Sequence, residues 1–274
     1  MSDNEKLAFE CAVLIDSIDT PSMPEEIISF LLKTISFDSS LIMFYYQNRS
    51  PLVLYNAFEH TWRKNTINNY LKGAYLLDPF YLLLETKNYE GLHRLLDIAP
   101  DGFTDSKYFN DYYLHSNIKD ELCFLIPIDD VTTLCICLER SNQNHSFSIE
   151  EQAKLSTLFP LLKSVVKKHY ELNLDTTSNE PDLGEALTRA FNSFASSVLT
   201  NRECEVVKLL LKGHSIRSSA EKLNISPGTV KVHRENIYYK LGISSQAELF
   251  HLFIDSVSTL QLDFVGDPLE NYIN

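Results

Sequence analysis

The chain predicts an α+β N-terminal body, with an antiparallel sheet flanked by helices, followed by an all-α block of four short helices. Three observations predict this. β-forming runs joined by short turns sit between amphipathic segments in roughly the first half of the chain. A polar, acidic stretch with Pro and Gly, ELNLDTTSNEPDLGE, interrupts the apolar patterning from Glu171 to Glu185. From Leu199 to Ile254 the sequence then repeats the signals that start, fill and stop helices. The expected organisation is a body over 1–170, a linker over 171–186, a helical domain over 187–256 and an acidic tail over 257–274. At 274 residues and 44% hydrophobic, each unit can bury a core of its own.

Apolar residues at helical spacing mark two opening helices, at Leu7, Cys11, Leu14, Ile15 and Ile18, then at Ile27, Ile28, Leu31, Leu32 and Ile35. SLIMFYYQ, followed by the turn NRSP, reads as a strand with LVLY as its partner. A helix is expected over about 60–75, and another after it, with Asp78 as N-cap and Pro79 in the first turn. DIAPDGFTDSKYFNDYYLHS reads as a loop leading into a helix. ELCFLIPI and TTLCICLE around Asp129-Asp130-Val131 form the clearest hairpin. A long helix follows over 150–170, with Ser148 and Glu151 as its capping box.

The polar, acidic start MSDNEKLAFE reads as neither secretory signal nor transit peptide, and no apolar run is long enough to span a bilayer. A cytoplasmic protein with no membrane partner is expected. Five scattered cysteines form no CxxC pair and no zinc-site spacing, so no metal or cofactor is expected. Cys135 and Cys137 share one face of a strand, as buried thiols or a redox pair. No catalytic constellation or phosphate-binding loop appears. Asp97, Asp101 and Asp105 lie in a turn-rich loop and His93, His115 and His145 are isolated, so an enzyme is not expected.

The net charge of −13 argues against nucleic acid until it is divided. Residues 199–254 carry eight Lys/Arg against five acids, a net +3, leaving −16 on the remainder. That asymmetry fits a basic binding module on an acidic regulatory body. Within the module, Thr200 and Glu203 form a capping box, Lys212-Gly213 ends the first helix, and Ser215 opens the second. Asn224 closes it, and Ser226-Pro227 starts the third. Helix, tight turn and helix in this order make a helix-turn-helix. On the third helix Val230, Ile237 and Leu241 repeat at core spacing. Lys231, Val232, Arg234, Glu235 and Tyr238 lie on other faces, offering cations, a carboxylate and a small apolar contact to a DNA groove.

LT-x-RE, TVKVH-R-x-NI and KLGI-SS-x-AEL resemble the LuxR-type helix-turn-helix of bacterial regulators over nearly its full length. The resemblance implies double-stranded promoter DNA, a homodimer paired through the fourth helix (about 244–253) and RNA polymerase as partners. It places Lys231, Val232 and Glu235 near bases, and Thr229, His233 and Arg234 near the backbone. Two positions depart from the family. Ser218-Ser219 replaces an acid and Ile before Ala220, loosening the second helix's packing, and Glu235 stands where some members carry a basic base-reader.

The body lacks the alternating β/α units and acidic pocket of a phosphoacceptor receiver. Trp62, Tyr70, Tyr75 and Asp78-Pro79 are similar to the lactone pocket of acyl-homoserine-lactone receptors, although Trp62 and Tyr70 are eight residues apart where that family has four. Packing plus a helix cap accounts for Tyr70, Tyr75 and Asp78 equally well. YLKGAYLLDPFY, DIAPDGFTDSKYFNDYY and KDELCFLIPI resemble the N-terminal region of LuxR-type regulators of undefined signal, with a GAF- or PAS-like fold. The expected function is a promoter-binding regulator controlled by an unidentified small molecule or partner, with lactone-responsive quorum sensing as the alternative.

Overall fold

A computed structural model describes residues 2–47, 49–57, 61–86, 88–141, 145–173, 183–258, 260–261 and 264–273. The chain opens with α1 (Asp3–Asp16), capped reciprocally by Ser2 and Glu5, and α2 (Met23–Leu32), which has Pro24, Glu25 and Glu26 in its first turn. Strands β1 (Ser39–Tyr46) and β2 (Leu52–Asn56) form the expected hairpin. Helix α3 (Thr61–Leu71) stops short of the predicted Tyr75. Gly73 there takes φ 138°, which breaks the helix, and a 3-10 turn over Ala74–Leu77 carries the chain to Asp78. Asp78 caps α4 (Pro79–Leu83), its Oδ1 accepting the Phe80 N–H at 2.7 Å.

Strand β3 (Gly91–Arg94) precedes two short helices, α5 (Leu95–Ile98) and α6 (Lys107–Phe109). Strands β4 (Ile118–Pro127) and β5 (Thr132–Ser141) then form the predicted hairpin, closed by Asp129 Oδ1 accepting the N–H groups of Val131 and Thr132. Helix α7 (Ile149–Asn173) starts from the Ser148–Glu151 box. The sheet is antiparallel throughout, in the order β2-β1-β5-β4-β3. Alternation sends Leu122, Phe124, Ile126, Leu134, Ile136 and Leu138 to the face packed with α1, α2 and α7 residues. Cys123, Leu125, Cys135, Cys137, Met43 and Tyr45 face the opposite core. Because both faces are covered, the central strands read as nearly continuous apolar runs.

Of the expected linker, residues 174–182 lie outside the described residues. Helix α8 (Leu183–Ser193) starts inside the stretch expected as linker. Four helices follow: α9 (Asn201–Leu211), α10 (Ile216–Leu223), α11 (Pro227–Leu241) and α12 (Gln246–Ser258). The caps fall where the sequence put them. Thr200 and Glu203 close a capping box, Ser215 and Ser226 cap α10 and α11, and Asn224 is left-handed at φ 53°. The tail has a structural task. Asp267, before α13 (Pro268–Ile273), accepts from the Ala195 and Ser197 N–H groups at 2.8 and 2.9 Å, seating Leu269 in the core. Among the described residues, no helix is long and apolar enough to cross a membrane.

Candidate nucleic-acid interface and a tyrosine cavity

Helix α11 divides as its sequence requires. Val230 and Ile237 are fully buried, whereas Thr229, Lys231, Val232 and Glu235 are exposed, with His233 and Arg234 half-buried. Val232 is 55% exposed, an apolar side chain presented among polar ones, as a thymine methyl contact requires. Tyr239, 89% exposed and one turn beyond Glu235, extends the same stripe. Its i, i+4 spacing from Glu235 is the signal in the sequence that marks it. Polar partners hold the helices of this unit to one another. Lys240 pairs with Glu203 on α9 at 2.7 Å, and Arg202 donates to the Leu223 carbonyl at 2.6 Å, satisfying an end group of α10.

The departure at Ser218-Ser219 has two consequences. The Ser218 hydroxyl meets His214 Nδ1 at 2.7 Å. Ser219 is fully buried, and its hydroxyl finds no hydrogen-bond partner among the described residues. An orphaned hydroxyl in place of an apolar side chain weakens the seat of α10.

The helical block is docked on the body. Asp101, in the loop before α6, accepts from Ser215 N–H at 3.0 Å and Ser215 Oγ at 2.5 Å. Burial opposes ionisation of this carboxyl, but the Ser215 bonds outweigh it and hold its pKa below the ordinary value. Gly102 and Gly213 let the two loops touch through backbone. A Cβ on Gly102 would lie 2.9 Å from the Gly213 carbonyl oxygen. Phe250 of α12 meets Tyr108 of α6 edge-on, with centroids 6.4 Å apart. Phe253 meets Phe191 of α8 and Phe194 just beyond it in the same way. The apolar face of α12, the helix expected to pair dimers, is therefore covered within the chain.

Between α3, α6 and the sheet lies an open-mouthed cavity of about 70 Å³. Its polar floor joins residues far apart in sequence. Tyr70 Oη donates to Asp78 Oδ2 at 2.9 Å, and Tyr45 Oη lies 2.8 Å from Tyr70 Oη. Burial pushes the Asp78 carboxyl above its usual pKa, with the Tyr70 and Phe80 bonds opposing. Of the predicted ligand residues, Tyr70 and Asp78 line this cavity. Tyr75 is fully buried in the core, edge-on to Tyr81, and is not on the cavity wall. Trp62 lies on α3, but its side chain falls outside the described residues. Tyr45, Tyr108 and Glu121 complete the wall.

A helix-turn-helix joined to an α+β body with a cavity defines a regulator of transcription with a sensory domain. Residues 197–253 match the family profile of bacterial regulatory proteins, luxR family. The chain is 32% identical over 197 residues to an HTH-type transcriptional regulator from the exeN 3' region of Aeromonas salmonicida, spanning 70% of this chain and all of that protein. It is 26% identical over 207 residues to the monoamine regulon transcriptional regulator of Klebsiella aerogenes, spanning 75% and 80% of the two chains. Among solved structures, the VqsR LBD domain from Pseudomonas aeruginosa is similar at a TM-score of 0.53 and 27% identity. That match covers 60% of this chain and 96% of that one. The chain belongs to the luxR family of bacterial transcriptional regulators.

Proposed function

We propose that this regulator binds promoter DNA as a homodimer and is controlled by a small molecule in the tyrosine cavity. The units are a sensory body (1–170), a linker (171–186), a DNA-binding domain (187–256) and a tail (257–274), working in the cytoplasm where promoters and RNA polymerase are. The observation that carries the reading is the open stripe of α11, where Lys231, Val232 and Glu235 stand free of the body. Lys231, Val232 and Glu235 approach base edges, and Thr229, His233 and Arg234 approach phosphates.

The cavity supports a sensing role because its floor is polar and its walls are aromatic, as in small-molecule sites. It shares the docked face of the body with the DNA-binding unit. A ligand that alters the packing of Tyr108 shifts the balance between docked and released states, and release frees α12 to pair two chains. The meeting of Tyr70 with Asp78 favours an acyl-homoserine lactone as a second reading. Glu121 on the same wall favours a different headgroup. Native mass spectrometry of the purified chain separates them, because a retained acyl lactone supports the second reading and another occupant the first.

The promoter reading predicts that Lys231→Ala weakens binding to the preferred duplex by about 1–3 kcal/mol, roughly 5- to 150-fold, in an electrophoretic shift. Unchanged affinity would mean that α11 is not the reader.

A further inference from the structure

Alternation along β4 and β5 sends three cysteines to one point on the sheet. Cys123 is the cross-strand partner of Cys137, and Cys135 lies two residues before Cys137 on the same face. Sγ of Cys123 is 2.7 Å from Cys135 and 3.3 Å from Cys137, and the latter two are 3.5 Å apart. All three are buried, at 3% exposure or less. Among the described residues this is the group of three metal-ligating side chains whose donor atoms converge within 4.8 Å. Packing alone would be served as well by alanine or valine, since a buried thiol behaves as a small hydrophobe.

Three sulfurs make a soft donor set, which excludes hard oxygen-seeking ions. Zinc in a structural site requires a fourth ligand; the Glu121 carboxyl meets Cys137 but does not converge with all three sulfurs, and it would add a further negative charge to the complex. Two further observations narrow the class. In a triangle with sides of 2.7–3.5 Å, an atom bonded to all three sulfurs at about 2.3 Å sits above their plane, as the apex of a pyramid. No Lys, Arg or His side chain acts on the three thiols among the described residues, so an anionic complex would gain no compensation. Three thiolates leave a monovalent ion at −2 and a divalent ion at −1, whereas a trivalent ion gives a neutral complex. Only the last escapes the penalty for an uncompensated buried charge.

We infer that Cys123, Cys135 and Cys137 form a thiophilic site for a pyramidal trivalent metalloid, of the arsenic(III) and antimony(III) class. With arsenous acid, each thiol sulfur forms a bond to arsenic as one arsenic–hydroxyl bond breaks. The hydroxyl leaves as water with the thiol proton, and no electron changes hands. Cys137 stands on the wall of the tyrosine cavity, which supplies the path of entry. Occupancy ties β4 to β5 behind Asp78 and Glu121, giving the regulator an input chemically distinct from the cavity's organic ligand.

The test uses the full-length, reduced chain with sodium arsenite and, in parallel, potassium antimonyl tartrate. Native mass spectrometry should find one metalloid atom gained and three hydrogens lost per chain. After arsenite, brief unfolding with iodoacetamide and peptide mapping should find Cys123, Cys135 and Cys137 protected, with Cys11 and Cys204 alkylated. A Cys11→Ser/Cys204→Ser double variant should bind as wild type, and Cys135→Ser at least about tenfold more weakly. The mapping needs only the wild-type chain, so a folding failure of Cys135→Ser does not blunt the test. No metalloid bound, protection of Cys11 or Cys204 instead, or copper(I) bound while both metalloids are refused would each overturn the assignment.

Discussion

Replacing Gly102 with alanine separates docking from folding. Gly102 has φ −101° and ψ 8°, a conformation alanine adopts, so the body itself is not strained. The added methyl carbon would instead lie 2.9 Å from the Gly213 carbonyl oxygen and 3.0 Å from the Ser215 nitrogen. Both are backbone atoms of the DNA-binding unit, so neither can rotate aside. Overpacking of this kind costs about 1–3 kcal/mol. Charged to the docked state alone, it shifts the balance toward release by about 5- to 150-fold. Hydrogen exchange reads the result at the Ser215 amide, which donates to Asp101 in the docked state. Its exchange should accelerate by that factor. The Val230 amide, bonded to the Ser226 carbonyl inside the unit, should not change. Asp101→Ala should act in the same direction. Unchanged Ser215 exchange in Gly102→Ala would refute the docking contact as the link between the two units.

Two further outcomes follow from α10 and its approach. Ser219→Ala removes a buried hydroxyl that has no partner among the described residues and should stabilise the chain by about 1 kcal/mol in urea unfolding; a destabilised variant would mean the hydroxyl is satisfied. His214 has its pKa lowered to about 4, chiefly by burial and then by Lys222, with Asp101 opposing. The folded chain therefore takes up this proton less readily than the unfolded one. Stability is complete above about pH 6.5 and declines as pH falls toward 4, by about 1–2 kcal/mol once solvent screening is allowed for. Urea melts at pH 7.5 and pH 5 should differ less in His214→Gln than in wild type, and an equal difference would contradict the assignment.

Local signals carried most of the fold. The caps at Thr200, Ser215 and Ser226, the left-handed Asn224 and the Asp129 turn each act within three residues of their own position, so the sequence displays them directly. The helix expected over about 60–75 overruns α3 because the apolar pattern continues past Gly73, where the backbone turns. Strand β3 is not legible in the sequence because four residues at a sheet edge show too little alternation to register. The site was legible in part. Tyr70 and Asp78 stand eight residues apart and meet once the chain turns at Gly73, but Tyr45 reaches them only through the sheet. Cys123 joins Cys135 and Cys137 only once the register of β4 on β5 is fixed. The Gly102–Gly213 approach spans two units, and no pattern local to either glycine announces it.

Selecting bound duplexes from a random pool with the full-length chain and with Lys231→Ala decides whether the exposed stripe of α11 reads promoter sequence. The wild-type chain should enrich an inverted repeat whose half-sites lie about one helical turn apart. Lys231→Ala should lose the preference at one base position in each half-site. The same sequence recovered with Lys231→Ala would contradict a reading role for this stripe.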